Sequence, residues 1–137
     1  MGITYKEGIC REEYHKLRVS VQWPELPPEQ EQAGLDGSAY IISAYVEGEI
    51  AGAARILWDG GYTAYICDVM VAPEYQGQGI GSGMMTRCIE YLKSQMREGW
   101  KLMVILVATK DKEGFYEKFG FVYRPNEISG AGMSQWL

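Results

Sequence analysis

The sequence predicts an α/β fold, with one mixed, mostly antiparallel central sheet and helices on both faces. Three observations predict it. Three β-rich segments between Ala39 and Val71 are joined by glycine-bearing turns. A long segment with apolar residues at helical spacing follows, and after it comes an uninterrupted apolar run, L-M-V-I-L-V-A at Leu102–Ala108. A meander followed by strand–helix–strand–helix–strand closes as a sheet sandwiched between helices. The 137 residues are the size of one domain, 1–137, long enough to bury a core without staples.

Each element has a local reason. Gly2–Tyr5 reads as a short first strand. Cys10–Val21 places Tyr14, Leu17, Arg18 and Val21 at helical spacing. W-P-E-L-P-P at Trp23–Pro28 breaks that helix, because proline removes a donor and restricts its predecessor. Pro28–Ala33 restarts as a short acidic helix. Ala39–Val46, Ile50–Trp58 and Tyr62–Val71 are strands rich in β-formers, separated by Glu47-Gly48-Glu49 and Asp59-Gly60-Gly61. Ala72–Ser82 is a loop rich in Gly and Gln. Gly83–Glu98 carries Met84, Met85, Cys88, Ile89, Leu92 and Met96 on a 3.6-residue period, with Gly99 as its stop. Leu102–Ala108 reads as a strand buried on both faces. Asp111 caps a short helix, Lys112–Phe119, closed by Gly120. Phe121–Arg124 and Met133–Trp136 add final strands.

Composition narrows the function. Apolar residues make up 47% and charged residues 23%, which excludes a disordered chain. The net charge of −5, with a sequence pI of about 4.9 and no basic tract, argues against a nucleic-acid partner and favours a cationic or neutral small substrate. The three cysteines, Cys10, Cys67 and Cys88, are odd in number and form no C-x-x-C, so no disulfide framework is readable and a cytoplasmic location is expected. His15 is the single histidine. A histidine metal site, a Ser-His-Asp triad or a Cys-His dyad would each hang on it alone, so no metal is expected and His15 reads as a surface helix residue. Met1–Cys10 lacks the pattern of a secretory signal. Lys6 stands where a myristoylation site wants Ser or Thr, and no apolar run is long enough to span a membrane.

The chemistry concentrates in Asp68–Met85, D-V-M-V-A-P-E-Y-Q-G-Q-G-I-G-S-G-M-M. A strand ends at Val71, glycines recur at positions 77, 79, 81 and 83, and a helix begins. Glycines let the backbone approach a ligand and turn successive N–H groups inward as an anion nest. A helix N-terminus adds unpaired N–H groups and its dipole. Such a site holds a pyrophosphate with backbone alone. A Walker A loop does not fit, because neither register from Gly77 or Gly79 supplies the second Gly and the Lys. A G-x-G-x-x-G fingerprint fails at Ser82 from Gly77 and at Met84 from Gly79.

The pattern that fits is Q/R-x-x-G-x-G/A, at Gln76-Gly77-Gln78-Gly79-Ile80-Gly81, after V-M-V-A-P-E-Y and before F-Y-E-K-F-G-F at Phe115–Phe121. These motifs resemble those of the GCN5-related N-acetyltransferase (GNAT) family over roughly Glu49–Arg124. More weakly, F-Y-E-K-F-G-F followed by Gly132-Met133-Ser134-Gln135-Trp136 is similar to the serotonin (arylalkylamine) N-acetyltransferase-like members.

The resemblance implies an acyl-CoA N-acyltransferase fold, acetyl-CoA as co-substrate, and a small-molecule amine as acceptor, with a homodimer through late strands. It implies that the strand before the loop and the next strand splay apart, so that Val69, Met70 and Val71 offer backbone groups to pantetheine as an added strand. Gln76, Gly77, Gln78, Gly79, Ile80, Gly81 and Ser82 would then take the pyrophosphate, and an N–H near Val69 or Met70 the oxyanion. Tyr116 falls at the family's position for a general acid to the departing thiolate.

Asp68 is the charged residue in an otherwise apolar strand, which is costly unless it is partnered or functional. It is either a general base for the amine or a carboxylate paired with a neighbouring donor. Glu47, Glu49 and Glu74 read as turn charges. Cys67 invites an acetyl-cysteine step, but it has no histidine partner, and alternation puts it opposite Asp68. Trp23, Tyr14, Tyr40 and Trp58 are candidates for an acceptor pocket as well as for the core. Two further functions fit the same fold: acetylation of a protein N-terminus or lysine, and a non-catalytic acyl-CoA-binding module.

Overall fold

The computed structural model describes residues 2–137. Its sheet has five strands in the order β1-β2-β3-β4-β5. β1 (Ile3–Glu7), β2 (Tyr40–Val46), β3 (Glu49–Trp58) and β4 (Thr63–Val71) are antiparallel neighbours, and β5 (Met103–Ile105) joins β4 in parallel. The predicted meander is β2-β3-β4. Its first turn is two residues long. Glu47 and Gly48 both have positive φ, 50° and 81°, which matches the twist of a tight hairpin. In the second turn Asp59 Oδ1 accepts the N–H groups of Gly61 and Thr63, the local bonding that makes Asp a turn residue.

The helices are α1 (Arg11–Ser20), α2 (Pro28–Asp36), α3 (Ile80–Gln95) and α4 (Glu113–Glu117), with a short 3₁₀ turn at Pro73–Tyr75. α1 and α2 take one face of the sheet and α3 the other. Ala53 of β3 packs with Tyr14, Leu17, Leu35 and Met70, on the side of α1 and α2. Its neighbour Gly52 faces the other way, toward Ile80 and Met84 of α3. Met84, Met85, Cys88 and Leu92 are all buried, as their spacing predicts, each contributing about 1.5–3 kcal/mol for a side chain of that size. α2 is clamped to α1 by a buried carboxylate. Glu31 accepts from Arg11 at 2.9 Å and lies 3.0 Å from His15 Nδ1. His15 is therefore a partly exposed helix residue with a structural contact.

Several boundaries differ from the sequence reading. α2 runs on to Asp36, past Ala33. α3 starts at Ile80 and not at Gly83, and it ends at Gln95, before Glu98 and Gly99. The reason is that Ile80, 1% exposed, anchors the first turn on Gly52. α4 is shorter than Lys112–Phe119, and Lys112 takes the cap position; Asp111 has φ 68° and does not cap. Leu102–Ala108 is not a strand buried on both faces. Only Met103–Ile105 pairs, and Met103, Ile105 and Val107 are exposed. β5 is an edge strand with one ladder, and an apolar run does not reveal how many neighbours it will have.

The chain falls into two compact units, Met1–Ile105 and Leu106–Leu137. Within the second, Phe115 packs on Tyr116 and Phe119, and Tyr116 on Phe121. The strands expected at Phe121–Arg124 and Met133–Trp136 are not formed. Pro125 lacks an N–H for a ladder, Gly130 and Gly132 weaken any strand, and Asn126 Oδ1 closes a turn on Ile128 and Ser129.

A close approach between β3, β4 and α3 makes a test. A Cβ at Gly52 would stand 2.8 Å from Met70 O, 3.1 Å from Met84 Cε and 3.2 Å from Ile80 Cγ2. Gly52→Ala is expected to lower stability by about 1–3 kcal/mol through overpacking, measured as the urea midpoint. Gly61→Ala, where the nearest atom is 3.6 Å away, is expected to leave that midpoint nearly unchanged.

Candidate active site

β4 carries the site because it contains one residue too many. The register pairs Arg55 with Cys67 and Ala53 with Met70. Ala54 therefore faces both Asp68 and Val69, which is a β-bulge. Asp68 has φ 54°. That left-handed conformation costs an L-residue about 1–2 kcal/mol and is tolerated best by Asn and Asp after glycine. Two donors fix its carboxylate: the Tyr14 hydroxyl and Arg55 Nε both reach Oδ2 at 2.5 Å. Arg55 Nη1 in turn donates to Gly34 O and Ser38 Oγ, at 3.1 and 3.2 Å. The Arg55 and Asp68 side chains are only 17% and 16% exposed, a depth at which a lone charge would be costly. Burial first, and then the Asp68 carboxylate, push the Tyr14 phenol above its usual pKa, so it stays protonated as the donor.

Of the two readings of Asp68, this geometry favours the paired carboxylate. Arg55 was missed at the level of sequence. Its signal is present: it is the one charge inside the small apolar run Ile50–Trp58, as Asp68 is in the next strand.

The bulge changes the phase of β4. The Ala72 N–H donates to Ala51 O at 2.8 Å. Counting back along an antiparallel ladder, the Met70 backbone also turns toward β3, and those of Val69 and Val71 turn to the opposite edge. On that edge the last pair with β5 is Tyr65↔Ile105, so Ile66–Val71 has no strand beside it among the described residues. At its end Gln76 Nε2 donates to Val71 O at 3.0 Å.

The glycine loop follows directly. Gly77 and Gly79 have φ 81° and 83°, and a Cβ on either would meet nothing within 4 Å. Glycine is needed there for conformation and not for space. Gly79 is the N-cap of α3, and the first helical bond runs from Gly83 N to Gly79 O. The N–H groups of Ile80, Gly81 and Ser82 are therefore the unpaired first-turn donors. Ile80 offers backbone only, because its side chain is buried, while Gln78 is exposed. Gly83 is needed for space instead, because a Cβ there would overlap the Tyr5 ring, which Arg87 covers at 3.6 Å.

Other candidates are sorted by their contacts. Burial raises the Tyr116 pKa, so its phenol is held as an acid; within its unit it packs edge-on to Phe115 and Phe121. Alternation does not separate Cys67 from Asp68, because the bulge interrupts it at Asp68. Cys67 is instead unsuited as a nucleophile by protonation, since burial pushes its thiol up to about 11. Tyr14 belongs to the Asp68 brace. Trp23 packs on the α1/α2 core with Arg18 over its ring. Tyr40 stacks on Tyr91, and Trp58 donates to Gly61 O in a turn. Glu49 pairs with Lys16 across exposed surface. Among the described residues no group of three or more His, Cys, Asp or Glu is placed to hold a metal.

The Acetyltransferase (GNAT) family model matches residues 8–121. The chain belongs to the GNAT family. As a GNAT member it is an acetyl-CoA-dependent N-acyltransferase. It is 31% identical over 132 residues to the uncharacterised N-acetyltransferase ycf52 of Pyropia yezoensis, covering 93% of this chain and 74% of that one. A shorter match, 34% over 77 residues, covers 56% of this chain and 36% of serotonin N-acetyltransferase 2, chloroplastic, of Oryza sativa subsp. japonica. The structure of a probable acetyltransferase from meticillin-resistant Staphylococcus aureus superposes with a TM-score of 0.86 at 28% identity, covering 99% of this chain and all of that one. The residues present fit the family's co-substrate: an unpaired edge for an extended arm, and neutral N–H donors for a pyrophosphate.

The buried thiols make a pH prediction. Burial holds Cys67 at about 11 and Cys88 at about 12, whereas an unfolded thiol ionises near 8.5. Their raised values favour the folded state fully below about pH 8.5, and that contribution is lost as pH rises through 11 to 12. A thiol reagent at pH 8 is expected to titrate only exposed Cys10 in the folded protein and all three cysteines in denaturant. The melting temperature is expected to fall above pH 9.

Proposed function

We propose that the chain transfers acetyl from acetyl-CoA to the primary amine of a small molecule, by direct attack in a ternary complex. One observation carries the reading: the Val69 and Val71 backbones face an edge of β4 that has no strand, and that edge leads straight into the unpaired N–H groups of Ile80, Gly81 and Ser82. Acetyl-CoA supplies an acetyl group already activated as a thioester. Val69 and Val71 hold the pantetheine arm as a strand would. Gln76, Gly77, Gln78 and Gly79 with the first turn of α3 hold the pyrophosphate. The Val69 N–H is the preferred oxyanion donor over that of Met70, which faces β3. Tyr116, carried by resemblance, protonates the leaving thiolate. The protonated state of Cys67 supports direct attack over an acetyl-cysteine. A pocket of about 230 Å³ is lined by Lys16 of α1, Glu49 of β3 and Glu74 after β4; Lys16 pairs with Glu49, which leaves Glu74 to face a small cationic acceptor.

The test is CoA-thiol release from acetyl-CoA across arylalkylamines, polyamines and short peptides. Release with one small amine class is expected. Tyr116→Phe is expected to lower kcat by about 10²–10⁴-fold with CoA affinity intact; full turnover would remove Tyr116 from the chemistry. Release only with peptides would replace the small-molecule reading by protein acetylation. Silence in a protein still stabilised by acetyl-CoA would favour a binding module.

The loop has its own test. Gly79→Ala imposes left-handed strain of about 1–2 kcal/mol where the first-turn amides are aimed. It is expected to abolish most of the rise in melting temperature that acetyl-CoA gives. An undiminished rise would place the pyrophosphate elsewhere.

A further inference from the structure

We infer that Arg55 and Tyr14 are positioning residues of the reaction. Through Asp68 they hold the β4 bulge that releases the Val69 N–H, and Asp68 serves as the left-handed residue of that bulge and not as the base. The inference rests on the proposed acetyl transfer and deepens it.

The register carries the argument. Arg55↔Cys67 lies on one side of the bulge and Ala53↔Met70 on the other. Without the extra residue, the first pairing would continue and bring Val69 opposite Ala53, the ladder position that Met70 now fills. The Val69 N–H would then be committed to β3, and the edge would lose its donor next to the site of acetyl transfer. The bulge needs a residue at positive φ, and Asp68 supplies it at 54°. Nothing in its own backbone favours that state over an extended one. The left-handed strain, which a glycine would not carry, is offset by the carboxylate, which reaches two donors on two other elements, Tyr14 on α1 and Arg55 on β3. Arg55 is itself held from α2 and the loop that follows it, by Gly34 O and Ser38 Oγ. The four parts of the brace thus come from four elements, and none can shift without moving the bulge. The Asp68 oxygen that accepts both donors is not open to an amine.

The substitutions at Asp68 separate three roles. Asn keeps an acceptor and tolerates positive φ, Gly keeps the conformation alone, and Ala keeps neither. As a positioning residue, Asp68→Asn and Asp68→Gly are expected to stay within about tenfold of the parent kcat, and Asp68→Ala to fall on the order of 10²-fold, the scale of a lost oxyanion donor. CoA affinity stays within about twofold in Asp68→Asn and Asp68→Gly, and falls in Asp68→Ala by less than kcat, since the loop still holds the pyrophosphate while the Val69 contact to pantetheine is lost. Tyr14→Phe and Arg55→Lys are expected to lower kcat by more than they lower CoA affinity.

A base would make Asn and Gly as inactive as Ala, which overturns the inference. A merely structural role would lower the melting temperature of all three and leave kcat at the parent value, which overturns it as well. A readout independent of the acceptor is the Val69 amide resonance. It is expected to move on adding acetyl-CoA to the parent and to Asp68→Gly, and not to Asp68→Ala. If acetyl-CoA stabilises the parent but leaves that resonance unmoved, the inference fails and the cofactor site stands. If acetyl-CoA does not stabilise the parent at all, the proposed function itself fails.

Discussion

The carboxylate of Asp68 joins a hydroxyl from α1 and a guanidinium from β3 at a single oxygen, and the phase of β4 beyond that point follows from it. Up to Cys67 the strand pairs with β3 in one register; from Met70 on it pairs in another. The change of phase decides which amides belong to the sheet and which face the edge that β5 leaves after Ile105. It acts just before the strand hands over to the glycine loop, so edge donors and helix N-terminal donors lie in succession along one stretch of backbone. A local departure from regular pleating is thereby turned into a binding surface.

This construction explains how an acidic chain can host a polyanion. With a net charge of −5 the protein gains nothing from long-range attraction. In the proposed site the donors offered to the pyrophosphate are neutral N–H groups, oriented by φ at Gly77 and Gly79 and by the α3 dipole. They act at contact distance, where bond direction counts for more than net charge. The charges of the brace itself, Arg55 and Asp68, neutralise each other and are largely buried.

Much of the fold was legible because its signals are local. Glu47-Gly48 and Asp59-Gly60-Gly61 announce their turns by composition, and Met84, Met85, Cys88 and Leu92 announce the buried face of α3. The glycine loop announces itself for the same reason, by the spacing of its glycines before a helix. What escaped the reading depends on partners far along the chain. Asp68 stood out as a charge among apolar residues, but whether it was a base or one half of a pair rested on Arg55, thirteen positions away. The bulge has no signature, because a single aspartate does not state its φ. Ile80, Gly81 and Ser82 suggested loop and are helix, since burial of Ile80 overrides the propensity of the glycine beside it. Leu102–Ala108 carried hydrophobicity without saying how many strands would flank it.

The bond from Gln76 Nε2 to Val71 O has a meaning beyond the loop. An unpaired run of strand is a template on which any extended chain can add, and proteins that keep one in solution must limit it. Here the last outward carbonyl is already taken by the protein's own amide, on a side chain that is solvent-facing and free to swing away. The edge is therefore closed at one end to a long polypeptide strand, yet it yields to a short ligand that brings its own amides and a phosphate group to hold it. The same glutamine that opens the glycine motif acts as a stopper against unwanted sheet growth.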